Sequence, residues 1–207
     1  MANYCYNNIT ITGDVKDLVE LYNRIHAYLK TEGNEGYWGG TYYTMFKTLQ
    51  PFYSKDNKDF NVYEQYGSKW FEINSYNLLD EVLTISGDSA WSPVLSLCEK
   101  LALDYDLTID VDFDEPGMDF AGYYRYDSSG CVKSEDITSN QYNFDCDIHS
   151  WIDNVIDNSL CNYESYEEWS KEYKPELLGF LKTNNNEEVF ITIEESVKNG
   201  FKEPSTC

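Results

Sequence analysis

Three aspartates stand at alternate positions near the middle of the chain, at Asp110, Asp112 and Asp114. Their spacing matches the first, third and fifth ligands of a calcium-binding loop. The rest of that motif is absent, because Glu115 stands where a glycine must turn the chain and Ala121 stands where a bidentate glutamate is required. On a strand, alternate side chains point the same way about 6.7 Å apart. We therefore interpret the three carboxylates as a row of charge and predict no metal and no cofactor.

Candidates for nucleophilic catalysis are few. The chain has six cysteines and two histidines, and no C-x-x-C pair that would suggest a zinc site. His149 follows Cys146 by one helical turn, but the neighbouring Asp145 and Asp147 would hold the thiol protonated. His26 falls on the inner edge of a predicted helix, where we expect a packed, hydrogen-bonded side chain. We predict reduced, structural thiols and no catalytic residue.

The charge of the chain excludes several classes of function. It carries 37 acidic and 15 basic residues, a net charge of −22, well beyond the magnitude of about 2–8 that suffices for solubility. Such a field opposes direct binding to nucleic-acid phosphates. No apolar run approaches the roughly 18 residues of a membrane span, and the first residues lack the pattern of a signal peptide. The sequence predicts a soluble, cytoplasmic protein with no membrane partner.

Hydrophobic periodicity predicts the elements that position the acidic row. Residues 4–12 alternate between apolar and polar, as a half-buried strand does. Asp14 then caps a helix whose apolar stripe reaches Leu29. Further along, the pattern predicts two strands at 70–73 and 82–86, a helix capped by Ser92 with Pro93 at its first position, and a last strand at 107–113.

Strand, helix, strand, strand, helix, strand is the order of a ferredoxin-like α+β sandwich, an antiparallel sheet with two helices on one face. The other face, which carries the aspartates, should remain exposed to solvent. Residues 120–126 and 131–132 predict an added hairpin. We assign 1–126 to this domain, with an aromatic-rich insertion at about 33–66. The acidic extension at 127–207 is predicted to be mainly helical, with a late strand at 189–193.

Several short motifs occur in a fixed order along the chain. They are MANYCYN at 1–7, ITITG at 9–13, GSKW at 67–70, AWSP at 90–93, EPG at 115–117 and FAG at 120–122. Together they resemble the YubB-like family of phage and plasmid proteins. Tyr66 departs from the tryptophan that is commoner before the glycine, and Val94 replaces a second proline. The resemblance implies a ferredoxin-like fold and a mobile-element origin, and it provides no catalytic residue.

Two of these motifs contain a tryptophan, Trp70 and Trp91. Each ring buries roughly 200 Å² when it is interior. We interpret both as apolar plugs that lock the core or the loops. A platform on which a ligand stacks is the alternative.

The acidic row and its neighbours form the candidate binding site. Because its spacing is comparable to that of phosphates on a nucleic-acid strand, the row can present a line of negative charge to a protein that holds DNA or RNA. We hypothesise a non-enzymatic, phage-type inhibitor or modulator of a host nucleic-acid-binding protein. A defence nuclease, including a CRISPR effector, is the first target class to test. The predicted partner-binding residues are Asp104, Asp106, Asp110, Asp112, Asp114, Glu115 and Asp119.

Three alternatives stay open. The acidity can serve solubility alone, as most charge runs do. The same carboxylates can belong to a metal-assisted hydrolase. The chain can also be a structural or assembly protein.

Overall fold

The order of elements in the N-terminal part of the chain follows the predicted alternation of strands and helices. The protein is described by a computed structural model that covers residues 3–29 and 67–202, so the insertion predicted at about 33–66 lies outside the described residues. The elements are β1 (Tyr4–Thr12), α1 (Val15–Leu29), β2 (Phe71–Leu79), β3 (Val82–Ala90), α2 (Leu95–Tyr105), β4 (Thr108–Glu115), β5 (Phe120–Asp127) and β6 (Gly130–Ile137).

The six strands form one antiparallel sheet in the order β2-β3-β1-β4-β5-β6. Strands β1 to β4, with α1 and α2, make the predicted ferredoxin-like sandwich, and this prediction is confirmed. The added hairpin is confirmed as β5 and β6, which extend the sheet beyond β4. Strand β1 lies between β3 and β4, so its alternating side chains divide the centre of the sheet into an apolar face and a polar face.

The apolar face of the sheet packs under the two helices. Ile9 and Ile11 of β1 are buried there together with Leu18 of α1 and Leu101 of α2. Burial of each such side chain contributes about 1.5–3 kcal/mol relative to an exposed position. Asp14 begins α1 as predicted, because its carboxylate accepts a hydrogen bond from Lys16 N at 2.8 Å.

A buried asparagine interrupts the apolar side of β1. Asn7 is only 1% exposed, and its amide nitrogen donates to Cys5 O at 2.8 Å and to Ser89 Oγ at 2.9 Å. Its amide oxygen accepts from Val94 N at 3.1 Å. Because a buried polar group without partners is costly, these three bonds fix the start of α2 against β1 and β3.

The predicted cap of α2 by Ser92 is wrong. The helix begins at Leu95 without a side-chain cap, and the Ser92 hydroxyl donates instead to Gly67 O at 2.6 Å. Ser92 O accepts from Ser89 Oγ at 2.7 Å. The serine therefore holds the loop before the helix against β3 and the segment that precedes β2.

The compact N-terminal unit extends through Tyr142. The boundary predicted at 126 falls inside the β5–β6 hairpin, whose turn is closed by Asp127 Oδ1 accepting from Ser129 N at 2.7 Å. Gly130 follows this turn at a φ of 107°, a value that L side chains rarely adopt. Because β6 pairs with β5 along its length, the hairpin belongs to the sheet.

The second unit covers residues 143–207, and its core is built by helices. Trp169 is fully buried, and its indole nitrogen donates to Ser159 Oγ at 2.9 Å. Around it lie side chains such as Leu181 and Ile193. The helices from the end of the first unit onward are α3 (Ser139–Cys146), α4 (Ile148–Asn162), α5 (Tyr166–Glu172), α6 (Lys174–Thr183) and α7 (Val189–Gly200).

The late strand predicted at 189–193 is wrong, because these residues begin α7. Phe190, Ile193 and Val197 are buried at helical spacing, whereas Ile191 is 62% exposed. A short apolar run does not distinguish a strand from a helix by its periodicity.

No helix in the part of the chain that the structure describes is long and apolar enough to span a bilayer.

We expect Gly87→Ala to destabilise the sheet. A Cβ at this position would lie 2.3 Å from Glu72 O and 2.8 Å from the Phe71 ring, and such overpacking costs about 1–3 kcal/mol. Gly179→Ala in α6 is the control, because nothing lies within 4 Å of its added Cβ and an exposed helical alanine stabilises by roughly 0.5–1 kcal/mol. Urea unfolding measures both changes, and equal stability of the two variants would contradict this packing.

We expect acid to weaken the second unit through Glu194. Its carboxylate accepts from Lys174 Nζ and from Tyr166 OH, both at 2.5 Å, and these bonds hold the pKa of Glu194 below its usual range. The ion pair of Glu194 with Lys174 therefore stabilises the folded state when the pH is above the ordinary pKa of a glutamate. This contribution of about 1 kcal/mol or less disappears as the pH falls through the lowered pKa of Glu194.

Thermal unfolding from about pH 6 to about pH 3 tests this dependence. The stability difference between the wild-type chain and Glu194→Gln should shrink toward zero with acid. Glu195→Gln, at the exposed neighbouring position, is the matched control. A difference for Glu194→Gln that stays constant over this range would exclude the ion pair as its cause.

Candidate functional site

The polar sides of the strands form a face of the sheet opposite to α1 and α2, which we call the open face. Because directly paired residues on neighbouring strands lie on the same face, the register arranges this face in rows that run across the sheet. One row contains Ser86, Asn8, Asp112, Tyr123 and Glu135, the next contains Thr84, Thr10, Asp110, Arg125 and Lys133, and a third contains Glu72, Asp88, Tyr6 and Asp114.

Asp110 lies on the open face, but its charge is paired. Arg125 Nε donates to Asp110 Oδ1 at 2.7 Å and Arg125 Nη2 donates to Oδ2 at 2.8 Å. This bidentate contact raises the pKa of the Arg125 guanidinium. The charge of Asp110 is therefore neutralised by Arg125, and the open face does not present a bare carboxylate at this position.

Asp112 is held by hydrogen bonds from two directions. Its Oδ1 atom accepts from Tyr142 OH at 2.6 Å and from Asn8 Nδ2 at 3.0 Å. Asn8 Oδ1 in turn accepts from Ser86 Oγ at 2.9 Å. The carboxylate therefore ends a chain of hydrogen bonds that crosses β3, β1 and β4, and it serves to join these strands.

The expectation of a continuous exposed row is wrong at its distal end. Asp114 is 8% exposed and Glu115 is fully buried. Glu115 follows Asp114 on the strand and therefore points toward the side of the sheet that the helices cover. Its Oε2 atom accepts from Met118 N at 2.5 Å, so this carboxylate closes the turn between β4 and β5.

The other predicted residues lie beyond the two ends of β4. Asp104 and Asp106 precede the strand and Asp119 follows it, and all three are exposed. The eight residues of β4 span roughly 25 Å. The structure therefore does not bring the seven predicted acidic residues together as a single line.

The carboxylates of the row do not converge on a common point. Asp110 is paired with Arg125 and Asp112 with Tyr142. Within residues 3–29 and 67–202, no group of three histidine, cysteine or acidic side chains is arranged to hold a metal ion. An open groove of about 430 Å³ lies beside the row, bordered by Tyr123 and Lys133 as well as by the aspartates.

The buried thiols are not activated as nucleophiles. Burial raises the pKa of both Cys5 and Cys98 to about 12, opposite to the lowered pKa that cysteine catalysis needs. His26 is hydrogen-bonded to Tyr76 OH at 2.6 Å, which confirms its predicted packed role. Asp147 accepts from His149 N at 3.1 Å as the cap of α4, so its carboxylate has a structural function beside Cys146.

The open face carries exposed aromatic side chains at the end where β1 begins. Tyr4 and Tyr6 are 47% and 51% exposed, and the Trp70 ring meets Tyr4 edge-on at 5.5 Å. Trp91 directly follows β3 at this end and is 48% exposed, so its interpretation as a plug of the core is wrong, and its role in locking the loops stays a prediction. We call these four residues the aromatic end. Exposed tyrosine and tryptophan rings are typical of protein-binding surfaces.

The match to one family model agrees with the fold. Residues 65–157 match a family model described as the ferredoxin-like domain in Api92-like protein. Over these residues the chain is similar to that family. The crystal structure of protein Api92 from Yersinia pseudotuberculosis is similar at 11% identity and a TM-score of 0.40, over 65% of this chain and 98% of that chain. No curated protein matches the chain in sequence.

Sequence reasoning missed the groups that neutralise the row. Arg125 lies within the predicted hairpin, but its pairing with Asp110 depends on a register that the residue pattern does not specify. Tyr142 is thirty residues from Asp112, in a segment without a predicted element. The one available signal was Arg125 itself, because a rare basic residue in so acidic a chain is expected to pair with a nearby carboxylate.

We expect the five cysteines among the described residues to divide into two reactivity classes. Cys131, Cys146 and Cys161 are exposed, whereas Cys5 and Cys98 are buried and have raised pKa values. At about pH 8 an alkylating reagent should label the exposed thiols and leave the buried ones unlabelled until urea unfolds the chain. Peptide mass spectrometry measures this pattern. Labelling of Cys98 before Cys131 in the folded chain would contradict it.

Proposed function

We propose that this chain is a non-enzymatic binding protein, an inhibitor or modulator of a basic, nucleic-acid-binding protein. The open face and the acidic surface at its edges are the proposed contact. The YubB-like resemblance adds the proposal that the chain comes from a phage or plasmid and acts in the cytoplasm of a host cell. A host defence nuclease is the first target class to test.

The observation that carries this proposal is the combination of exposed aromatic rings with an excess of carboxylates. Even if all 15 basic residues paired with a carboxylate, 22 of the 37 acidic residues would lack a partner of opposite charge. Such a field accelerates the encounter with a basic surface and repels nucleic acid. Exposed rings then supply contact area that charge alone does not provide.

Two engaged carboxylates alter the form of the contact that we propose. Because Asp110 and Asp112 are engaged by Arg125 and Tyr142, imitation of a phosphate row on β4 is not the favoured form of the contact. Glu72 and Asp88 lie together on the open face beside Tyr6. They combine negative charge with an exposed ring, which the middle of β4 does not.

Affinity capture from a host lysate at low salt, followed by elution with raised salt, tests the proposal. We expect basic nucleic-acid-binding proteins in the eluate, and an affinity of the purified partner that falls about tenfold or more as salt screens the charges. The partner's own nucleic acid should compete with the chain. An eluate without basic proteins would contradict the proposal.

The variant Glu72→Gln with Asp88→Asn locates the contact. It removes two charges beside Tyr6 and should weaken binding. The matched control, Asp153→Asn with Asp157→Asn, removes the same charge from two exposed positions of α4 in the second unit. Equal loss in both variants would show that net charge acts without a defined contact on the open face.

A further inference from the structure

Trp91 combines a strained backbone conformation with an exposed side chain. Its φ of 66° is a left-handed conformation that a bulky residue rarely adopts. Its side chain is 48% exposed, so burial does not offset the strain. Strain that persists at an exposed side chain is more typical of a binding site than of a packing position.

The strained conformation is imposed by the surrounding loop. Trp91 N donates to Asn3 O at 3.0 Å, directly beside Tyr4. On the other side, Ser92 and Val94 are fixed by the bonds to Gly67 and Asn7 described above. The backbone on both sides of the tryptophan is therefore held in advance of any contact, which lowers the cost of binding.

Tyr6 lies between carboxylates on the two neighbouring strands. It pairs with Asp88 of β3 and with Asp114 of β4, at positions where Cβ atoms are about 5 Å apart. Tyr4 precedes it by two residues on the same face, with the Trp70 ring against it. An exposed ring flanked by carboxylates is the arrangement that favours a planar cation.

Asp88 has capacity for one more donor. Its Oδ2 atom accepts from Asn74 Nδ2 at 2.8 Å, while its buried Oδ1 atom accepts no hydrogen bond from the described residues. A buried acceptor without a donor is unfavourable. Because Asp88 is paired with the half-exposed Tyr6 on β1, this acceptor without a donor lies beside an exposed ring.

We infer that the aromatic end, together with Asp88, is a docking site for arginine side chains of the basic partner; this inference rests on the proposed function. A guanidinium is planar, stacks on aromatic rings and offers paired N–H donors to a carboxylate. A lysine ammonium supplies the same charge without the plane. The site therefore discriminates arginine from lysine, whereas the general acidic field does not.

Titration with an arginine-only peptide and a lysine-only peptide of equal length tests the inference on the full chain. We expect the arginine peptide to bind about tenfold more tightly. Trp91→Gly should abolish most of this preference while leaving the melting temperature unchanged or higher, because glycine adopts the left-handed conformation without strain. Tyr6→Ala should also reduce the preference. Leu79→Ala is the control, since Leu79 is 63% exposed at the far end of β2.

The outcomes separate the docking site from the function. Equal affinity for the two peptides, or an arginine preference that survives both Trp91→Gly and Tyr6→Ala, would overturn the docking site and leave the proposed function standing. Failure of both peptides to bind at low salt would overturn the two together. If Trp91→Gly does not fold, Tyr6→Ala and Tyr4→Ala decide the question.

Discussion

The central strand β1 is the constraint on which the rest of the structure depends. It pairs with β3 on one side and with β4 on the other, so its period of two residues decides which side of both neighbours faces the helices. Ile9 and Ile11 fill the covered side, and Asn7 ties the same side to the start of α2. A shift of one residue in this register would expose the core and bury the polar row. Every surface of functional interest in the N-terminal unit is therefore set by the register of β1.

The acidic character of the chain has two separate consequences. On the open face, Asp110 and Asp112 are used within the structure, where they join β4 to β5 and to β1. Elsewhere, the excess of 22 negative charges produces a field that no internal cation can neutralise. The first effect holds the strands together, and the second governs which molecules approach. In the proposed function, specific recognition needs features other than charge, and we propose that the aromatic end supplies them.

The sequence predicted the ferredoxin-like sandwich because β1 and β4 alternate cleanly and because α1 has a regular apolar stripe. It did not predict the burial of Asp114 and Glu115, since their alternation resembles that of exposed positions and their burial depends on the turn that follows. The pairing of Asp112 with Tyr142 depends on a contact between distant residues. The apolar run at the start of α7 fits the period of a strand as well as that of a helix. Only burial in the core around Trp169 favours the helix. The exposure of Trp91 follows from a backbone conformation that a residue pattern does not encode.

Mapping of backbone amide chemical shifts by NMR, as the arginine-only peptide is added, tests the central claim most directly. The account predicts changes concentrated at the start of β1, the end of β3 and the loop that follows it, with residues 143–202 unaffected. Changes concentrated in the second unit, or spread evenly over all acidic surfaces, would contradict a defined docking site on the sheet.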